Sequence, residues 1–366
     1  TVTDAQKKQP KHVMMMAAGT GGHVFPALAV AKELQQQGID VSWLATPSGM
    51  ENRLLKNHNI PIYQIDIQGV RGNGIARKLL APFKILKATL AAMRYMKQLK
   101  IDSVVGFGGY VAGPGGLAAR ALGIPVIIHE QNAIAGFTNT QLSRIATLVC
   151  QAFPHTFPAS AKIVTTGNPV RQEITEILNP AWRYQQRAQA GMPLQILIVG
   201  GSLGAQALNQ TVPEALKQLD VPMQVFHQCG QNHFEATQAA YVHAPENMQV
   251  QVQPFIEDMA QAYANADLII CRAGALTVTE IATAGVAAVF VPLPSAVDDH
   301  QTANAKFLAD IHAAKICPQA TMTPEHLTTL LTPLMNRPVL SEMAVKARQK
   351  AQPDATQHVV RLIQEL

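Results

Sequence analysis

Short apolar runs alternate along the chain with longer stretches whose apolar residues recur every three or four positions. The first run, 12–18, leads into Gly19-Thr20-Gly21-Gly22-His23 and then a helical pattern over 26–37 that stops at Gly38. Runs over 41–46, 62–67, 102–106 and 125–129 predict further strands. Between them lie a glycine-bearing loop over 69–74, a basic helical stretch reaching Lys100, and a small-residue helix after Gly108-Gly109-Tyr110. The second half repeats the plan, with strands over 196–199, 223–228, 268–271 and 287–291. Its turns are Gly200-Gly201-Ser202-Leu203-Gly204 and Arg272-Ala273-Gly274-Ala275. Repeated strand–helix units specify a parallel, doubly wound sheet. The expectation is an α/β protein with two Rossmann-like domains facing a cleft, 1–168 and 169–351. Turn chemistry over 165–171 marks a hinge, and the last helix, about 352–366, packs back on the first domain. Residues 123–128 and 285–290 correspond, which suggests duplication.

Composition narrows this only modestly. The chain has 366 residues, 48% hydrophobic and 14% charged, which excludes a disordered chain and supports two full cores. A net charge of +5 suits anionic partners without choosing among membrane, nucleic acid and phosphorylated substrate. Cys150, Cys229, Cys271 and Cys317 show no CxxC spacing and read as reduced, mostly buried thiols of a cytoplasmic protein. No secretory signal is expected before the first strand, and no apolar run approaches the roughly 20 residues that cross a bilayer. Any membrane contact is therefore expected to be peripheral.

The glycine turns carry the first chemical signal. Glycine lets the backbone approach a ligand, and a helix N-terminus offers unbonded N–H groups with positive dipole character, a combination that suits phosphates. A nicotinamide site fits poorly, because Val24 breaks G-x-G-x-x-G and the second strand ends Leu44-Ala45-Thr46 without an acidic residue for a ribose. His23 closes the first turn at a helix N-terminus, where added positive charge is disfavoured, so its imidazole is placed to act as a neutral base. The alternative is a capping or packing histidine. Glu280 lies one turn into the helix that opens after Arg272-Ala273-Gly274, behind the amides of Ala275, Leu276 and Thr277. There it can accept from two ribose hydroxyls or simply complement the helix dipole. His129-Glu130-Gln131-Asn132 and Asp299-His300-Gln301 with Asn304 offer donors for sugar hydroxyls, or loop caps. No Asp-x-Asp occurs, and no His/Cys/Asp cluster has metal spacing, so no metal and no cofactor are expected.

Those motifs, with Gly167-Asn168-Pro169-Val170-Arg171 and Gly201-Ser202-Leu203-Gly204-Ala205, resemble in order one family of bacterial cell-wall enzymes. These are the undecaprenyl-diphospho-muramoylpentapeptide N-acetylglucosaminyltransferases, the MurG family within glycosyltransferase family 28. The resemblance runs from about residue 12 to the C-terminus. It implies a GT-B fold and inverting transfer of N-acetylglucosamine from UDP-N-acetylglucosamine to lipid I, forming lipid II. His23 is then the candidate base, with Gly19, Tyr110 and Glu130 on the acceptor side. Phe255 and Ile256 would meet the uracil and Glu280 the ribose. Ser202, Arg171 and the amides of Ala275, Leu276 and Thr277 would meet the diphosphate. Asn132, His300, Gln301 and Asn304 would meet the sugar, and Thr20, Gly21 and Gly22 also fall on the donor side. His300 stands where some relatives carry a second glutamine.

The implied site of action is peripheral, at the cytoplasmic face of the bacterial inner membrane, with cell-wall and division proteins as possible partners and no nucleic acid. The candidate docking patch is 75–100, where Leu79, Leu80, Phe83 and Leu86 lie among Arg77, Lys78, Lys84, Lys87 and Arg94. The alternative there is a solvated basic face over an ordinary core helix. Other functional readings are a different GT-B UDP-sugar transferase, acting on glycolipids or natural products, and a non-catalytic UDP-sugar-binding module.

Overall fold

A computed structural model describes residues 10–67, 75–201, 204–295 and 299–366. The chain divides into two compact units. One comprises the chain up to Pro169 together with Gln352–Leu366, and the other is Val170–Ala351.

The first unit is built on a seven-stranded parallel sheet ordered β3-β2-β1-β4-β5-β6-β7. Its strands are β1 (His12–Ala17), β2 (Asp40–Ala45), β3 (Ile62–Gln64), β4 (Ser103–Gly108), β5 (Val126–Glu130), β6 (Leu148–Gln151) and β7 (Ile163–Thr165). Successive side chains of β1 feed opposite cores. Val13, Met15 and Ala17 pack with the helix Gly21–Gln36, while Met14 and Met16 pack with the helices Ile75–Leu99 and Ala112–Ala121. A strand covered on both faces has no polar side to show, which is why β1 reads as an unbroken apolar run. The C-terminal helix Ala355–Gln364 adds Val359, Val360 and Ile363, all fully buried, to the core beside Gly21–Gln36. At about 1.5–3 kcal/mol for each buried aliphatic side chain, this helix is integral to the unit.

The second unit carries a six-stranded parallel sheet ordered β10-β9-β8-β11-β12-β13. Its strands are β8 (Leu194–Val199), β9 (Met223–Gln228), β10 (Met248–Gln253), β11 (Leu268–Cys271), β12 (Ala287–Phe290) and β13 (Ala314–Ile316). In both units, consecutive strands diverge to either side of the first one laid down. Loops at the carboxyl ends beside that strand are where such sheets bind ligands.

Several boundaries differ from the sequence reading. The first helix begins at Gly21, five residues before Pro26, which lies inside it. A bulge between β1 and β4 pairs Met16 with Gly106 but Ala17 with Gly108, so β4 runs two residues past its expected end. β3 stops at Gln64, three residues short of the expected run. The glycine-bearing loop over 69–74 lies outside the described residues. All four cysteines are free and buried.

Candidate functional site

In the first unit, the loops after β1, β4 and β5 bring His23, Tyr110 and the His129–Asn132 segment to adjacent strand ends. After β1 the backbone turns at Gly19 (φ 94°), whose amide points to Glu51 Oε2 at 3.3 Å. The first helical bonds run from His23 and Val24 to the Thr20 carbonyl, so the amides of Gly21 and Gly22 have no intrahelical partner. His23 is half-buried, and its Nδ1 lies 3.2 Å from Gln131 Oε1. Its ring lies over Gly108, where φ is 111° and a Cβ would come within 2.7 Å of the imidazole. Gly109 (φ 92°) lies so close to Ala18 that a Cβ would fall 2.3 Å from its carbonyl oxygen. These two glycines therefore make room for the His23 ring and for the turn that carries it. Tyr110 follows them and is exposed.

Glu130 is buried. It accepts from the amides of Gly136 at 2.6 Å and Asn132 at 3.3 Å, and from Asn139 Nδ2. Burial raises its carboxyl above the usual range, opposed by those same donors and by nearby His23. Its first task is to hold the loop that carries Asn132.

In the second unit, the glycine turn after β8 is clamped by Gln228, a buried side chain at the end of β9. Its Oε1 accepts from the amides of Gly200 and Gly201, both at 3.0 Å. Its Nε2 donates to the carbonyls of Gly201 at 2.8 Å and Pro254 at 2.9 Å. One amide thus ties the candidate diphosphate turn to the residue before Phe255 and Ile256. Ser202 lies outside the described residues. Phe255 is exposed and Ile256 buried, and both line a groove of 980 Å³ that runs along β8, β9 and β10.

The helix Ala275–Ala284 begins after Gly274, and its first backbone bond joins the Val278 amide to the Gly274 carbonyl. The amides of Ala275, Leu276 and Thr277 are therefore left without intrahelical partners. One turn on, Glu280 Oε2 accepts from Arg171 Nε at 3.0 Å and Nη2 at 2.8 Å, while its Oε1 accepts from the hydroxyl of fully buried Tyr263 at 3.0 Å. Burial raises the Glu280 carboxyl, and Arg171 and Tyr263 oppose that shift. Arg171 and Glu280, assigned separately from sequence to diphosphate and ribose, are thus one ion pair here.

His300 opens the helix His300–Ala309. Gln301 Oε1 accepts from the amides of Ala273 at 3.0 Å and Leu293 at 2.9 Å. Asn304 has no exposed surface and donates to the Ala273 carbonyl at 3.1 Å, so it supports the Arg272–Gly274 turn from beneath.

Sequence reasoning missed the supporting residues Glu51, Gln228 and Tyr263 and gave Gln131 no role. Gln131 sits within a motif already singled out. Gln228 ends a strand 28 positions from the turn it clamps, so no local signal marks it. Nothing local links Tyr263 to Glu280.

The chain matches the family model for the glycosyltransferase family 28 N-terminal domain over residues 13–151 and that for the C-terminal domain over residues 195–359. It is 78% identical over 365 residues, covering 100% of both chains, to the UDP-N-acetylglucosamine–N-acetylmuramyl-(pentapeptide) pyrophosphoryl-undecaprenol N-acetylglucosamine transferase of Acinetobacter baumannii strain AYE. To the enzyme of the same description from Psychrobacter cryohalolentis it is 54% identical, over 96% of this chain and 98% of that one. The crystal structure of Acinetobacter baumannii MurG superposes with a TM-score of 0.89 at 76% identity, covering 98% of this chain and 100% of that one.

Proposed function

We propose that in this chain, which belongs to glycosyltransferase family 28, the first unit supplies the base and meets the acceptor while the second holds the nucleotide donor. The protein is a GT-B glycosyltransferase of peptidoglycan synthesis. It transfers N-acetylglucosamine from UDP-N-acetylglucosamine to undecaprenyl-diphospho-N-acetylmuramoyl-pentapeptide, lipid I, giving lipid II. The observation that carries the reaction is the 78% identity over the full chain. Transfer of labelled N-acetylglucosamine to lipid I tests it, and a chain that binds UDP-sugar without turnover overturns it.

In the proposed chemistry, an acceptor hydroxyl oxygen attacks the anomeric carbon as the bond to UDP breaks, and the configuration inverts. The hydroxyl proton passes to His23, and the charge developing on UDP is met by helix N-terminal amides and Arg171. Phe255 and Ile256 are assigned to uracil, Glu280 to ribose, and Ser202, Arg171 and the amides of Ala275, Leu276 and Thr277 to diphosphate. Asn132, His300, Gln301 and Asn304 are assigned to the sugar, with Thr20, Gly21 and Gly22 also on the donor side. Gly19, Tyr110 and Glu130 remain on the acceptor side.

Among the described residues, no group of three or more His, Cys, Asp and Glu could hold a metal ion. Amides and a guanidinium are instead available to neutralise the diphosphate. Exhaustive chelation is therefore expected to leave activity on a soluble lipid I analogue. Complete loss restored by a divalent cation would contradict this.

No described helix is long and apolar enough to cross a membrane. The helix Ile75–Leu99 nevertheless exposes Ile75, Leu79, Phe83, Leu86 and Leu90, spaced so as to share one side. Leu79 and Phe83 are 68% and 70% exposed, while Ala88, Ala92 and Met96 face the core. The apolar residues are thus split between two faces, unlike those of a core helix with a solvated basic side. Lys78 and Lys87 are exposed beside the stripe and Lys84 is half-buried; the Arg77 side chain lies outside the described residues. This pairing suits the anionic cytoplasmic face of the bacterial inner membrane. At about 1 kcal/mol per basic residue near such a surface, reversing Lys78, Lys84 and Lys87 to Glu should abolish binding to anionic vesicles. Activity on a short-chain soluble acceptor should survive, and unchanged co-sedimentation at low salt would place docking elsewhere.

A further inference from the structure

We propose that Gln131 and His129 are positioning residues that fix the tautomer of His23, keeping the proton on Nδ1 and the lone pair on Nε2. This rests on the reading of His23 as the base. The argument begins at backbone carbonyl oxygens, which can only accept. His129 Nε2 lies 3.0 Å from the Gly167 carbonyl, so Nε2 carries a hydrogen. His129 is fully buried and stacked on Phe107 with ring centroids 5.2 Å apart. Burial lowers its pKa to about 4, so the ring is neutral and Nδ1 is bare.

Gln131 Nε2 lies 3.1 Å from the His129 carbonyl oxygen and 3.1 Å from His129 Nδ1. The carbonyl identifies this end of the amide as the NH2, whatever the state of the ring. Oε1 is therefore the end that faces His23 Nδ1 at 3.2 Å. An amide oxygen cannot donate, so His23 Nδ1 must. A neutral imidazole has one N–H, which leaves Nε2 as the basic atom.

The rest of the neighbourhood holds this relay in place. Asn168 Nδ2 donates to the Gln131 carbonyl at 3.0 Å. Gly167 adopts φ 81°, and a Cβ there would come within 2.7 Å of the Gln352 side chain. The Gly167-Asn168 and His129–Asn132 motifs, far apart in sequence, thus serve one end. An unrestrained histidine exchanges between tautomers, and only one leaves Nε2 free to take a proton.

Long-range 15N–1H correlation spectra of the full chain, recorded where imidazoles are neutral, should show His23 as the Nδ1–H tautomer. In Gln131→Met the same residue should show a tautomer mixture, with kcat lowered roughly 10- to 100-fold and UDP affinity within about twofold of wild type. An Nε2–H tautomer in the wild-type chain overturns the proposal without needing any variant. So does a folded Gln131→Met protein with unchanged kcat. A fully active His23→Ala variant would instead overturn the base assignment, with the tautomer measurement still standing.

Discussion

Replacing His23 by alanine is expected to lower turnover by roughly 10²–10⁴-fold, the usual contribution of a positioned general base. The loss should not come from unfolding. The ring is half-buried, alanine is a better helix former than histidine, and the first helical bonds at this turn are made by backbone atoms. A thermal melt close to that of the wild type should accompany the kinetic defect. UDP affinity should change little, because Glu280, Arg171 and the Ala275–Thr277 amides all belong to the other unit. kcat should therefore fall while equilibrium binding of the donor nucleotide holds. Turnover near the wild-type value on saturating acceptor would return His23 to the role of a packing residue against Gly108.

How much of this could be read from the chain depends on where the physical signal lies. Strands covered on both faces are continuous apolar runs, and the run over 268–271 coincides with an observed strand. The sheet edges are not legible in the same way. β10 alternates as Met-Gln-Val-Gln-Val-Gln at an edge, while β7 and β13 are three residues long and too short to show a period. Pro26 resembles the first residue of a helix, but the helix starts earlier, at the glycines. Residues at the mouths of the turns could be found because glycine, histidine and carboxylate stand together in sequence. The residues that hold them could not. The bonds from Gln131 to His23, from Gln228 to Gly200 and from Tyr263 to Glu280 span 108, 28 and 17 positions. Only the folded unit brings those residues together.

Glu280→Ala is expected to weaken UDP and UDP-N-acetylglucosamine alike, by about 1.5–3 kcal/mol for loss of a charged hydrogen-bond acceptor, or roughly 10- to 150-fold. Equal loss for both ligands follows because the carboxylate is assigned to the ribose, which the two share. The pairing with Arg171 adds a competing route to the same loss, since the substitution also frees the guanidinium assigned to the diphosphate. Uridine separates the two. It has no phosphate, so it should weaken by a similar factor if Glu280 holds the ribose and hardly at all if the effect passes through Arg171. A second check uses 2′-deoxy-UDP: substitution and deoxy ligand remove the same interaction, so their effects should fall short of additivity. Because burial raises the Glu280 carboxyl, UDP affinity should begin to fall at a pH above the ordinary carboxylate range as acid is added. Protonation removes the acceptor, so the sign is weaker binding at lower pH, and the alanine variant should lose that limb. Calorimetry showing equal UDP affinity in variant and wild type would leave Glu280 as a partner of Arg171 and Tyr263 alone.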